Sequence, residues 1–66
     1  MKRFYEICGD GHMTHIFSNG EEEKAKRVLA FLIEREIATQ LFRREVDDLG
    51  KLEQSHRYDV EKGWWV

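Results

Sequence analysis

Residues 18–46 read SNGEEEKAKRVLAFLIEREIATQLFRREV, and the fold turns on where the helix in this stretch ends. Advancing about 100° per residue, Ala25, Val28, Leu29, Leu32 and Ile33 fall within one arc of roughly 140°, the apolar stripe of a helix lying on a core. Lys24, Lys26, Arg27, Ala30 and Glu34 fall outside it. Ser18 with Glu21 three residues later reads as a capping box, and Asn19 with Glu22 is the equivalent pair one residue on. Glu21, Glu22 and Glu23 meet the partial positive charge of the helix N-terminus. Glu22–Lys26 and Glu23–Arg27 are i,i+4 pairs in the better orientation, each stabilising by about 0.2–0.5 kcal/mol.

Past Glu36 the apolar phase changes. No glycine or proline interrupts the chain from Glu21 to Leu49, so an unbroken helix ending at Gly50 is one reading. In that helix Ile37, Ala38, Leu41, Phe42, Val46 and Leu49 would centre about 150° around the cylinder from the first stripe. A single straight rod would then need apolar partners on opposite sides at its two ends. The other reading breaks the helix near Arg35–Ala38. Thr39 to Val46 becomes a strand, Asp47-Asp48-Leu49-Gly50 a turn and Leu52 to Val60 the returning strand.

Working outward, Lys2 to Cys8 is rich in aromatic and β-branched residues and stops at Gly9-Asp10-Gly11. His12 to Phe17 follows, so a β-hairpin is expected. Tyr5 and Ile7 share one face of the first strand, and Phe4, Glu6 and Cys8 the other; sequence does not say which face meets the helix. After Val60, Gly63 offers a turn or bulge before Trp64-Trp65-Val66. If extended, the two tryptophans point to opposite faces, one completing the core and the other lying near the surface. The expected fold is therefore α+β: a small four-stranded antiparallel sheet with one covering helix, in ββαββ order, one sheet face packed and the other partly open. An N-terminal hairpin followed by one long helix or a helix pair is the alternative.

Sixty-six residues make one domain at most, spanning 1–66, and a chain of that size is marginal as a lone monomer. The single cysteine, Cys8, cannot close an internal bridge, which excludes the disulfide-stapled class and favours a reducing, cytoplasmic setting. No apolar run reaches the roughly 18 residues of a membrane span, and MKRFYEICGDG lacks the apolar stretch of a signal peptide. Beginning at Met1, the chain reads as a complete small gene product. Its 13 acidic and 11 basic residues are interspersed, which argues for a solvated surface rather than a polyanion-binding arm.

Chemistry-bearing residues are sparse. Cys8, His12 and His15, with Asp10 or His56 to complete a set, are the one cluster with metal-ligand character, but structural zinc sites carry two tightly spaced ligand pairs and this trio is loose. On a strand His12 and His15 also point apart, so no metal site is expected. Cys8, His12 and Asp10 could in principle form a nucleophile with its base, yet a domain this small offers little room for a pocket. Gly9-Asp10-Gly11 lacks the lysine and helix start of a phosphate loop. No catalytic residue and no cofactor is expected.

Two binding functions remain. Lys2, Arg3, Arg43, Arg44, Lys51 and Arg57 with Tyr5, Tyr58 or Trp64 could hold a nucleic acid on a sheet, although the net charge of −2 and the absence of an RNP-like run oppose it. Protein binding is favoured, because Trp, Tyr and Arg dominate interface hot spots and this chain gathers them late. Arg43, Arg44, Arg57, Tyr58, Trp64 and Trp65 are the expected contact residues. The expectation is a non-enzymatic protein-binding module, an accessory protein of phage or mobile-element type that inhibits or redirects a host protein. A second copy of the chain is a further candidate partner, given that uncovered sheet edges invite pairing.

Overall fold

The computed structural model describes residues 2–9 and 14–66. Five strands are found among them: β1 (Lys2–Gly9), β2 (Thr14–Ser18), β3 (Thr39–Val46), β4 (Leu52–Asp59) and β5 (Trp64–Trp65). A 3-10 turn (Asn19–Glu21) and helix α1 (Glu22–Glu34) join β2 to β3. The strands form one sheet in the order β2-β1-β3-β4-β5, and all neighbouring pairs run antiparallel. The expected four-stranded sheet in ββαββ order is thus corrected on two counts. The chain's tail supplies a fifth strand, and the link from β2 to β3 is only in part α-helix because a 3-10 turn opens it. The alternative with one long helix is also overturned, since α1 stops at Glu34 and 39–59 carry two strands. The expected hairpin tip at Asp10-Gly11 lies outside the described residues, as do His12 and Met13.

The helix starts as the glutamates dictate. Glu21 Oε1 accepts hydrogen bonds from the Ser18 backbone N–H (2.9 Å) and the Ser18 hydroxyl (3.0 Å), and these hold the Glu21 carboxyl below its ordinary pKa. Lys26 lies 3.6 Å from Glu22. How α1 stops is less ordinary. The Ile37 N–H donates to the Leu32 carbonyl (3.0 Å) and the Glu36 N–H to Ile33 (2.9 Å), a Schellman closure whose left-handed position is filled by Glu36 at φ 61°. Glycine is the usual residue there, because a Cβ in that conformation costs about 1–2 kcal/mol. Glu36 also sets a negative charge against the negative end of the helix dipole. Glu36→Gly is therefore expected to stabilise the fold by about 0.5–1 kcal/mol after the added unfolded-state entropy is subtracted. Thermal melting should rise by several degrees; an unchanged or lower midpoint would contradict this account of the helix end.

The last two reversals share a device. Asp47 Oδ1 accepts from the Leu49 and Lys51 N–H groups, and Asp59 Oδ1 from those of Glu61 and Lys62. Gly50 (φ 81°) and Gly63 (φ 79°) complete the turns in the left-handed region. Near the first turn the register shifts between Glu45 and Val46, which face Gln54 and Leu52 respectively, so Glu53 is an extra residue on β4 that bends it.

Helix α1 covers one face of the sheet. Tyr5, Ile7, Phe17 and Leu41 meet Ala25, Leu29 and Leu32 in the buried core, with Val28, Tyr58 and Trp65 packed around them. Tyr5 and Ile7, not Phe4 and Cys8, form the inner face of β1. The expected stripe shifts slightly: Ile33 is 41% exposed, whereas Lys26 leans over the sheet with its ammonium 5.1 Å from the Tyr58 ring centroid.

Candidate functional site

The face of the sheet away from α1 has no covering element among the described residues. Register and alternation place Phe4, Glu6 and Cys8 of β1, Ile16 of β2, Phe42, Arg44 and Val46 of β3, Leu52 and Arg57 of β4, and Trp64 of β5 on it. Ile16 is 67% exposed, Trp64 61% and Leu52 51%; Phe4, Phe42 and Val46 are half-buried. At the centre Arg44 Nε lies 3.1 Å from Glu6 Oε1, an ion pair whose angle does not make a hydrogen bond. The Arg44 guanidinium sits 4.8 Å from the Phe42 ring centroid. The surface thus interleaves apolar and polar side chains: Ile16-Glu6-Phe42-Arg57 and Ser18-Phe4-Arg44-Ser55 run across the strands. The Arg44–Glu6 pair lies at the centre, with Arg57 and Trp64 towards one end.

The six residues expected to make contact do not form one surface. Arg44, Arg57 and Trp64 lie on the open face. Arg43, Tyr58 and Trp65 lie on the helix side, where Trp65 stacks 5.6 Å from Tyr5 and 5.1 Å from Tyr58. The Arg43 guanidinium is 5.1 Å from the Trp65 ring, so this second trio extends the core. Sequence reasoning missed Phe4, Ile16, Phe42, Val46 and Leu52 as surface components. Alternation marks Phe4 as opposite Tyr5, but only the strand order reveals that these residues become neighbours.

The arginines do not form a basic stripe either. Arg3 is paired to Glu45 at 3.0 Å, Arg44 to Glu6, and Arg43 is turned against Trp65. Cys8 and His15 fall on opposite faces of the β1–β2 pair, since Cys8 faces Thr14 and Ile7 faces His15 across the ladder. His12 and Asp10 lie outside the described residues, and no group of three metal-binding side chains occurs among the described ones. No helix among them is long and apolar enough to cross a membrane. A hollow of about 670 Å³, open to solvent, lies at the corner where β2 ends, lined by Phe4, Ile16, Phe17 and Lys2.

Electrostatics on the helix side serve the fold. The Tyr5 hydroxyl donates to Glu22 Oε1 at 3.0 Å from a side chain only 2% exposed. Burial first, and then the hydrogen bond to the Glu22 carboxylate, push the Tyr5 phenol above its ordinary pKa of 10. The native state therefore keeps this proton at a pH where the unfolded chain has lost it. The contribution is complete below about pH 10 and is lost as pH climbs toward the folded value. Denaturant titrations from pH 8 upward should show stability falling beyond about pH 10, and Tyr5→Phe should flatten that fall. An equally steep decline in the variant would remove Tyr5 as its source.

Comparison with protein-family models, curated proteins and solved structures finds no match, so the functional reading rests on the surface itself.

Proposed function

We propose that this protein is a non-enzymatic binding module that docks another protein on the open face of its sheet. The observation that carries the reading is the uncovered field of Phe4, Ile16, Phe42, Leu52 and Trp64 on a chain of only 66 residues. Exposed aromatic and aliphatic side chains gathered on one face mark interaction sites, and tryptophan and arginine are enriched in interface hot spots. Neutralisation of Arg44 by Glu6 suits a partner surface that is largely apolar. The exposed cations of this face, Lys2 and Arg57, are separated by β3 rather than set in the continuous track a phosphate backbone would use. Action on the partner is stoichiometric: the module occupies a surface and so inhibits or redirects what would bind there.

The test is affinity capture from the native host with the wild-type chain, Trp64→Ala and Arg57→Ala, each checked for folding by circular dichroism. A partner held by the wild type and weakened by both folded variants supports the reading. Retention of the same partner by both variants overturns the assignment to this face. Salt-sensitive binding to a single-stranded oligonucleotide that both variants abolish would replace it with the nucleic-acid alternative.

A further inference from the structure

The two edges of the sheet differ in how they are guarded. At the far edge β5 covers the end of β4: Tyr58 and Asp59 pair with Trp65 and Trp64, and Arg57 exchanges both backbone hydrogen bonds with Val66. The uncovered remainder of β4 is bent by the bulge at Glu53 and carries that residue's charge. Bulges and charges are what keep sheet edges from pairing. The near edge is β2, Thr14-His15-Ile16-Phe17-Ser18. Among the described residues it pairs only with β1, and it holds no proline, no bulge and no Lys, Arg, Asp or Glu. Its middle residue, Ile16, is the most exposed aliphatic side chain in any strand, at 67%.

We infer that β2 is a self-pairing edge, through which a second copy of this chain adds antiparallel to make a continuous ten-stranded sheet. The register that pairs all five residues is centred on Ile16. It places Ile16 against Ile16 of the second copy, His15 against Phe17, and Thr14 against Ser18. No like charges oppose one another, the two hydroxyl residues can hydrogen-bond across the strands, and two aliphatic side chains meet. The arrangement is isologous and closes at two copies. A partner strand bearing acidic or basic residues would forgo this match, which is why the occupant is a second copy. Both open faces then lie on the same side of the extended sheet, but the pairing does not depend on whether those faces bind anything.

A five-residue seam is small, so a monomer–dimer equilibrium is expected between about 10 μM and 1 mM. Sedimentation equilibrium over that range, with amide exchange read at both ends, is the experiment. Wild type should pass from monomer to dimer, and amides of β2 should gain protection at high concentration. Ile16→Lys sets two like charges opposite each other and should raise the dissociation constant by about tenfold or more, since about 1.4 kcal/mol is a factor of ten. The exposure of Ile16 leaves the fold intact. Thr14→Lys, at the end of the seam, should act in the same direction, whereas Trp64→Ala should leave the dimer unchanged. A wild-type monomer at 1 mM overturns the inference. So does a dimer that survives both lysine variants, one that dissolves with Trp64→Ala alone, or a mass that grows beyond two copies. The capture experiment stays distinguishable from these results through Arg57→Ala, because Arg57 lies on β4 and outside the β2 seam.

Discussion

Trp65→Ala is expected to remove about 2–3 kcal/mol of stability, while Trp64→Ala, one residue earlier, should change it by less than about 0.5 kcal/mol. The contrast follows from strand alternation. Trp65 sits between Tyr5 and Tyr58 under the Arg43 guanidinium, so its removal leaves a gap lined by two aromatic rings. It is half-buried, which places the cost below that of a fully enclosed tryptophan. Trp64 is 61% exposed and leaves no cavity. For 66 residues at the usual range per residue, total stability is about 3–10 kcal/mol, so Trp65→Ala removes much of it. Urea unfolding of the two variants decides the matter. Equal midpoints would mean that β5 does not dock as described. The same contrast makes Trp64 the residue to vary in binding experiments, because a loss of binding in Trp65→Ala could come from a loosened fold.

Leu41→Ala is expected to cost about 3–4 kcal/mol, within the range for a leucine truncated in a core, and Leu49→Ala nearly nothing. Leu41 is 0% exposed, opposite Ile7 in the ladder and within the core that α1 covers. Leu49 is 93% exposed in the β3–β4 turn. In a continuous helix the two would sit on one face and behave alike. The pair therefore tests the backbone reversal directly: similar losses at both positions, measured by denaturant unfolding, would favour the rod over the sheet.

Much of this arrangement is legible in the residues. The glutamates after Ser18 mark the start of the helix, and Asp47 and Gly50 mark a turn through side-chain bonding and positive φ. Alternation separates Trp64 from Trp65. The helix end is harder to read because Glu36 occupies a position where glycine is the usual signal, and only the shift of apolar phase betrays it. A two-residue strand such as β5 is too short to stand out from a turn as a separate strand, which is why the sheet is larger than the four strands expected. The open face escapes detection for a different reason. Phe4 and Cys8 are as apolar as Tyr5 and Ile7, so β1 lacks the polarity contrast that would say which side α1 covers. The make-up of the open face then emerges only from strand order, a long-range property that no local pattern encodes.

The position of β1 has a bearing on how the chain comes together. Strand β1 lies inside the sheet, between β2 and β3, and its Arg3 is tied to Glu45, 42 residues further on. The neighbouring β1–β2 pair is close in sequence, whereas Lys2–Gly9 meets its other neighbour only across the link that carries α1. Such long-range closure slows folding and lengthens exposure of sticky strands, so the vulnerable species for this protein is one in which β1 has β2 beside it and still lacks β3.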